Sequence, residues 1–151
     1  MKPSILIQEK TFEKSRKTIR ENQDKVIIFS SENDDLNRKV LEKEPIDILL
    51  LNQKSRKDFM KQRNSGLNHV LAKIAKKQNT NIGINFDEIL DSREKKKSEI
   101  LSRIKQNINL CNKNKLKMKF IFLDKKSKRD THDLKALGLV LGMPTWMTKN
   151  L

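Results

Sequence analysis

Cysteine, histidine and long apolar segments are scarce in this chain of 151 residues. Cys111 is the single cysteine, so no internal disulfide can form, and this favours a reducing compartment such as the cytoplasm. No apolar run reaches the ~20 residues of a membrane-spanning helix, and the apolar stretch within residues 1–8 is too short for a secretory signal. The helical spacing of Ile104, Ile108 and Cys111 predicts that the thiol is a small buried hydrophobic group. We therefore expect a cytoplasmic protein without a membrane segment.

Residues that carry hydrolytic or metal chemistry are also few. A metal-dependent phosphoesterase needs several His, Asp and Glu ligands that converge on its metal ions. Here His69 and His132 are the only histidines, and they form no H-x-H, H-x-x-E-H or helical His pair. The G-x-S-x-G nucleophile elbow, the phosphate-binding P-loop and G-x-G-x-x-G are absent as well. These absences argue against catalysis by the polypeptide, and we expect it to bind no cofactor.

Positive charge is in large excess and unevenly distributed. The formal net charge is +15, yet residues 1–52 hold ten basic and ten acidic side chains. Residues 53–92 carry a net charge of +4 and residues 93–129 one of +11, whereas residues 130–151 are neutral overall. Such a concentration favours a polyanion, because each phosphate contact releases condensed counterions. An anionic membrane fits less well, since the basic helix lacks aromatic anchors, and a surface that is basic only for solvation remains the alternative.

Apolar runs of strand length alternate with helical stretches along the chain. The predicted strands cover residues 4–7, 26–30, 46–51, 80–85 and 117–123. The predicted helices cover residues 11–22, 34–42, a segment capped by Ser65, residues 92–115 and residues 131–139. About five βα units with short connections predict a parallel sheet with right-handed crossovers in one domain, residues 1–151. From this pattern alone, an open doubly wound sheet and an incomplete barrel are both possible.

The most distinctive segment is RNSGLNHVLAKIAKKQNTNIGINF, residues 63–86. Its helix is predicted to begin at a Ser65 cap, with one apolar face formed by Leu67, Val70, Leu71, Ile74 and Ala75. The wording SGLNHVLAKIAKK followed by IGINF resembles the archaeal ribonuclease P protein component 3 family, and the similarity of wording and element order covers residues 25–144. The resemblance implies an α/β, TIM-barrel-like fold, here an incomplete barrel of about five βα units.

The same resemblance implies a function. A member of this family is a protein subunit of ribonuclease P, in which RNA holds the catalytic Mg²⁺ ions and removes the 5′ leader from precursor tRNA. The implied partners are ribonuclease P RNA, precursor tRNA in the holoenzyme, a ferredoxin-like protein subunit and other ribonuclease P proteins. Two alternatives remain at this point: a metal-dependent phosphoesterase of the same barrel class, and a non-catalytic scaffold.

Candidate RNA-binding residues follow from where parallel strands end. Function gathers at the carboxyl ends of such strands, which are followed here by residues 30–33, 52–64, 85–89 and 124–129. Basic side chains occupy two of these loops and the first turn of the long helix: Arg56, Lys57, Arg63, Arg93, Lys95, Lys96, Lys97, Lys125, Lys126, Lys128 and Arg129. By resemblance, Gly66, Asn68 and His69 match the start of the family's helix. Asn68 is expected to cap or bond that helix start, and His69 either to contact RNA or, as we prefer, to bond a neighbouring strand end.

The last apolar residues have two interpretations. Leu137, Leu139, Val140, Leu141, Met143, Trp146 and Met147 either seal the barrel or form a surface for a protein partner, since Trp and Met are enriched in interface cores.

Overall fold

A parallel five-stranded sheet forms the centre of the protein. The computed structural model describes residues 2–151. Its strands are β1 (Ser4–Ile7), β2 (Val26–Phe29), β3 (Ile48–Leu51), β4 (Asn81–Asn85) and β5 (Met118–Ile121). They pair in the order of the sequence, and within the described residues β1 and β5 do not pair with each other. Sequential order is that of a TIM barrel and not of a doubly wound sheet, so the predicted incomplete TIM-barrel-like α/β fold is confirmed.

Seven α-helices accompany the described strands. They are α1 (Phe12–Glu21), α2 (Asp34–Lys43), α3 (His69–Lys77), α4 (Phe86–Asp91), α5 (Glu94–Lys113), α6 (Thr131–Val140) and α7 (Thr145–Thr148), and a single 3₁₀ turn covers Lys125–Ser127. The sequence did not predict α4, because residues 85–89 were assigned to a loop, and it did not predict α7. None of the helices in residues 2–151 is long and apolar enough to cross a membrane.

The start of α3 differs from the prediction. Asn68 is its N-cap and accepts a hydrogen bond from the Leu71 N–H at 2.8 Å, as expected for that residue. The predicted Ser65 cap is wrong, because Ser65 is buried in the preceding turn. Gly66 has a φ of +80°, a left-handed conformation that interrupts a helix and delays its start. The buried face shifts accordingly, so that Val70 is exposed and Ala72 is buried.

The two faces of the sheet carry apolar layers of different size. On the outer face, strand residues such as Phe29, Leu49 and Met118 pack in one large core with the helices. The inner face carries a small separate cluster of Ile28, Ile48 and Leu50, with Leu6, Val26 and Ile121 packed against it. Successive side chains of a strand point to opposite faces of the sheet, so strands that are covered on both faces carry apolar residues on each face.

Cys111 and part of the closing segment are buried as the sequence predicts. Cys111 is buried as predicted, and burial raises the pKa of its thiol to about 12. In the closing segment Leu141, Met143 and Met147 are buried in the core, which supports the sealing interpretation for them. Leu137 and Trp146 are partly buried, and Leu139 and Val140 are exposed, so this last pair is the most accessible to a partner.

Candidate nucleic-acid interface

A row of polar side chains marks the carboxyl edge of the sheet. Ser30, Asn52 and Asn85 follow or end three neighbouring strands. The Asn52 amide donates to the Ser30 hydroxyl at 3.0 Å, and the Asn85 amide donates to the Asn52 side-chain oxygen at 2.8 Å. Because these bonds satisfy polar groups at the end of an apolar sheet, they fix the points from which the loops depart.

Helix α4 fastens both basic loops to this edge through two consecutive carboxylates. Glu88 accepts the N–H groups of Gln53 and Lys54 at 2.8 and 2.9 Å. Asp87 accepts the N–H groups of Leu123 and Asp124 at 3.3 and 2.9 Å. Burial raises the pKa of Glu88, whereas its two backbone hydrogen bonds act in the opposite direction. The unpredicted α4 is therefore what positions the loops after β3 and β5.

The loop after β3 is held from beneath by Arg103 of α5, which is only 1% exposed. Its guanidinium donates to the Asp58 carboxylate and to the Gln53 carbonyl, both at 2.9 Å. Asp58 also accepts the Asn64 N–H at 3.0 Å and pairs with Arg63 at 3.2 Å. The hydrogen bond from Arg103, and after it those other partners, lowers the pKa of Asp58 despite an opposing effect of burial. Side-chain hydrogen bonds and ion pairs therefore hold this loop in a defined conformation.

Sequence reasoning missed Arg103, although a signal was present. It lies at helical spacing between Ile100 and Asn107, on the face of α5 that is buried. Arginine is almost never fully buried unless it is paired, so an arginine at such a position indicates a partner on the element packed above.

Arg56 bonds groups at the base of the loop after β3 and holds them in position. Its Nη1 and Nη2 donate to the two Asp34 oxygens at 2.9 and 2.8 Å, and its Nε donates to the Asn52 carbonyl at 2.7 Å. The side chain is 9% exposed. A Cβ at Gly66 would lie 2.4 Å from Arg56 Nη2, so the glycine leaves room for the guanidinium. This geometry favours a structural role for Arg56 over the RNA contact that the sequence predicts.

The other predicted cations fall into three groups, two of them beside α4 and one in the loop after β3. Helix α4 packs against both α5 and the Lys125–Ser127 turn. Arg93 and Lys95 are exposed at the start of α5, with Lys96 and Lys97 half-buried beside them, and Lys125, Lys126 and Lys128 are exposed after β5. Arg129 is exposed too, but its Nη1 donates to the carbonyls of Lys126, Ser127 and Lys128 and its guanidinium lies over Phe86. In the loop after β3, the side chains of Lys57 and Arg63 are exposed.

A cleft of about 500 Å³ opens beside the loop after β3. We call it the loop cleft; its walls come from Phe59, residues 62–69, Leu71, the start of α2 and the second half of α5. His69 is exposed and lines the loop cleft. Within residues 2–151 its side chain bonds no strand end, so the structural role preferred for His69 is not seen. Gly66 and Asn68 line the same cleft, which brings all three family-motif residues together.

Metal-binding groups do not assemble in the part of the chain that is described. No three His, Cys, Asp or Glu side chains of residues 2–151 come together as a set that could hold a metal ion.

These features define a class: an open, TIM-barrel-like βα protein whose loops carry exposed cations at the carboxyl edge. No family model matches the chain. Ribonuclease P protein component 3 of Methanococcus maripaludis strain C6 is 32% identical to it over 111 residues, and that of strain C7 is 31% identical over the same length. Each match covers 72% of this chain and 45% of the relative. The predicted similarity to the ribonuclease P protein component 3 family is thereby confirmed over 72% of the chain, which spans about half the length of the relatives it matches.

Solved structures give the same fold. A chain in a cryo-electron microscopy structure of archaeal ribonuclease P with mature tRNA superposes with a TM-score of 0.82, over 98% of this chain and 63% of that one, at 23% identity. A crystal structure of an uncharacterized protein superposes with a TM-score of 0.58 over 92% of this chain and 39% of its own, at 8% identity. At these identities the likeness concerns the fold.

Proposed function

We propose that this protein is a subunit of ribonuclease P that supports RNA-catalysed removal of the 5′ leader from precursor tRNA. The observation that carries the proposal is the grouping of exposed cations on either side of α4, at the edge where TIM-barrel-like proteins bind their ligands. The similarity to ribonuclease P protein component 3 supports the same conclusion.

Phosphate contact is the task that these side chains suit. Lysine and arginine neutralise phosphates without reading base sequence, so binding is directed by RNA shape and weakens with salt. We assign contact to the exposed or half-exposed predicted cations, namely Lys57, Arg63, Arg93, Lys95, Lys96, Lys97, Lys125, Lys126, Lys128 and Arg129. Arg56 is assigned to loop positioning because both Asp34 oxygens occupy it.

Catalysis is assigned to the RNA, with the Mg²⁺ ions bound there and no cofactor held by the protein. The chain's donor set supports this division, since hydrolytic metal sites need several converging carboxylate or imidazole ligands and residues 2–151 bring no such group together. The protein then contributes charge neutralisation and favours the folded RNA.

The proposed partners are ribonuclease P RNA, precursor tRNA in the holoenzyme, a ferredoxin-like protein subunit and other ribonuclease P proteins. The exposed pair Leu139 and Val140 is available to a protein subunit. The buried, unpaired Cys111 supports a reducing compartment, and we propose the cytoplasm.

Cleavage of precursor tRNA by the cognate RNA tests the proposal. The reaction is followed across a Mg²⁺ titration with the RNA alone, with this protein, and with this protein plus its ferredoxin-like partner. We expect the pair to lower the Mg²⁺ requirement and the protein alone to cleave nothing. Cleavage by the protein alone would favour a phosphoesterase, and a pair without effect would favour a scaffold; either result contradicts the proposal.

A further inference from the structure

An exposed aromatic side chain stands at the rim of the loop cleft. Phe59 is 57% exposed and lines the cleft, whereas its neighbour Met60 is 99% exposed and does not line it. Lys57 and Lys61 flank the pair and are exposed. An aromatic ring between cations is the combination with which proteins bind single-stranded nucleic acid, because the ring stacks on a base and the cations contact phosphates.

Hydrogen bonds hold the backbone of the loop that carries the Phe59 ring. Asp58, the residue before Phe59, is bonded to the buried Arg103 at 2.9 Å and to the Asn64 N–H at 3.0 Å. The Gln106 amide of α5 also donates to the Arg63 carbonyl at 3.1 Å, which fixes the far side of the same loop. Since ordering a loop costs affinity, a loop that is already ordered presents Phe59 for binding without that cost.

The remaining walls of the loop cleft suit a nucleotide. Gln62, Asn64 and Asn109 line it, and side-chain amides bond the edges of bases. Gln106 lines it too, but its amide nitrogen already donates to the Arg63 carbonyl and the Ser65 hydroxyl. The cations of the cleft are Arg38, Arg63 and Lys113. Of its two carboxylates, Asp34 is neutralised by Arg56, and Asp35 remains to accept a bond from a base amino group or a ribose hydroxyl. The volume of about 500 Å³ falls within the ~300–1,000 Å³ of ligand sites.

We propose that the loop cleft receives one unpaired nucleotide of the bound RNA, with Phe59 stacking on its base and Arg63 and Lys113 contacting the flanking phosphates. The inference rests on the proposed function and specifies which kind of RNA element is bound there. An unpaired nucleotide is favoured because a base within a duplex must first break its pair and its stack to reach the ring, whereas bases in loops and bulges are already splayed out.

Fluorescence anisotropy with two labelled RNAs tests the inference on the full chain. The probes are a fully paired hairpin and the same hairpin with an internal loop of unpaired nucleotides. We expect Phe59→Ala to weaken binding of the looped hairpin by roughly 5- to 150-fold, to leave the paired hairpin within about twofold, and Phe59→Trp to retain tight binding. Met60→Ala is the matched control, since it removes an adjacent exposed apolar side chain outside the cleft.

The results separate this inference from the function on which it rests. An equal effect of Phe59→Ala on the two hairpins, no effect on either, or a loss as large with Met60→Ala would overturn the cleft assignment. Salt-sensitive binding of the paired hairpin would in each of these cases still support the proposed RNA contact. If the unaltered protein binds neither hairpin, both proposals fail.

Discussion

Gly66 and Arg56 form a single unit at the base of the loop after β3. The guanidinium of Arg56 occupies the space where a side chain at residue 66 would begin, and it is held there by both Asp34 oxygens. The glycine at this position therefore serves two needs, a left-handed backbone and an empty site beside it. A methyl group at residue 66 can be accommodated only if Arg56 gives up bonds to Asp34.

We predict that Gly66→Ala destabilises the protein more than Gly142→Ala does. Both glycines have a positive φ, at +80° and +103°, but a Cβ at Gly142 would meet nothing within 4 Å. The control thus carries the backbone strain of about 1–2 kcal/mol alone, and Gly66→Ala adds the loss of charge-assisted bonds, about 1.5–3 kcal/mol. Urea unfolding measures both variants. Equal losses of unfolding free energy would show that Arg56 moves aside at no cost.

The pKa values of two carboxylates in this region should be shifted in opposite directions from their ordinary values. The folded protein lowers the pKa of Asp58 below 3.8, chiefly through the bond from Arg103, so its stabilising contribution is complete above 3.8 and is lost as pH falls through the lower folded value. Burial raises the pKa of Glu88 above 4.5. Its contribution is therefore full below 4.5 and is lost as pH rises through the higher folded value.

Carbon-13 titration of the two carboxyl groups measures these shifts. We expect the Asp58 midpoint to lie below 3.8 and the Glu88 midpoint above 4.5. Arg103→Met should move the Asp58 midpoint upwards, because it removes the largest cause of the shift, and should leave the Glu88 midpoint where it was. An Asp58 midpoint that does not respond to Arg103→Met would contradict the assigned cause.

At the scale of elements, α4 is the connection between the two basic loops. It is six residues long, and its two acidic side chains bind one loop each. Loss of one side chain should loosen only the loop that it holds. The resulting mobility would lower RNA affinity without removing any cation.

We predict that substitution of Glu88 and of Asp87 speeds backbone hydrogen exchange in different loops. Glu88→Ala should speed exchange of the Gln53 and Lys54 amides at least about tenfold, since each hydrogen bond to a charged acceptor is worth about 1.5–3 kcal/mol. Asp87→Ala should do the same to the amides of residues 123 and 124. Each variant is the control for the other, and faster exchange of all four amides in both variants would indicate that α4 itself unfolds.

The five strands and five of the helices could be predicted from the sequence, because each has several apolar residues at the spacing of its type. Helix α4 could not, since six residues give too few turns for a helical period to stand out. The Ser65 cap was wrong because local capping preference does not reveal that Gly66 adopts a left-handed conformation.

At the site, residue type placed the basic loops correctly at the carboxyl edge but could not rank their members. Arg56 and Arg63 belong to one loop, yet only Arg56 has both Asp34 oxygens as partners. Asp34 lies 22 positions earlier in the sequence, and the pairing of Arg103 with Asp58 spans 45 positions. Pairings across such separations are set by packing of whole elements, which a single sequence does not specify.

For the whole molecule, the parallel direction of the five described strands places every strand's carboxyl end at one edge. The apolar inner cluster lies within the sheet, and the hydrogen-bonded polar row of Ser30, Asn52 and Asn85 lies at this edge. Part of the basic excess of residues 53–129 lies in the loops after β3 and β5 and at the start of α5, near this edge. Within the described residues, no His, Cys, Asp or Glu cluster for a metal accompanies this charge.

We predict that a chelator leaves the thermal stability of the purified protein unchanged. A metal bound to the native state would stabilise it by mass action, so its removal would lower the midpoint of unfolding. Melting curves with and without EDTA, together with metal analysis of the protein, make the measurement. A lower midpoint in EDTA that is restored by adding back one metal would contradict the proposal that the protein itself holds no metal cofactor.

The start of α5 is a proposed place at which RNA phosphates are neutralised. Charge reversal of Arg93, Lys96 and Lys97 to glutamate should weaken RNA binding and flatten its dependence on salt, because the slope of log affinity against log salt falls by about 0.7–0.9 for each phosphate that is no longer neutralised. The matched control reverses Lys10, Lys14 and Lys17, which are exposed at and before α1, beside the β1 edge. Both triple variants change the net charge equally.

The two triple variants therefore separate a local contact from the overall field. If α5 begins at the RNA, its variant loses roughly two to three units of slope, whereas the α1 variant keeps the slope and loses affinity only through weaker long-range attraction, which salt screens. Equal losses of slope in the two variants would mean that the basic excess acts as a diffuse charge and that the start of α5 does not touch RNA. Far-ultraviolet circular dichroism verifies that both variants keep their helices.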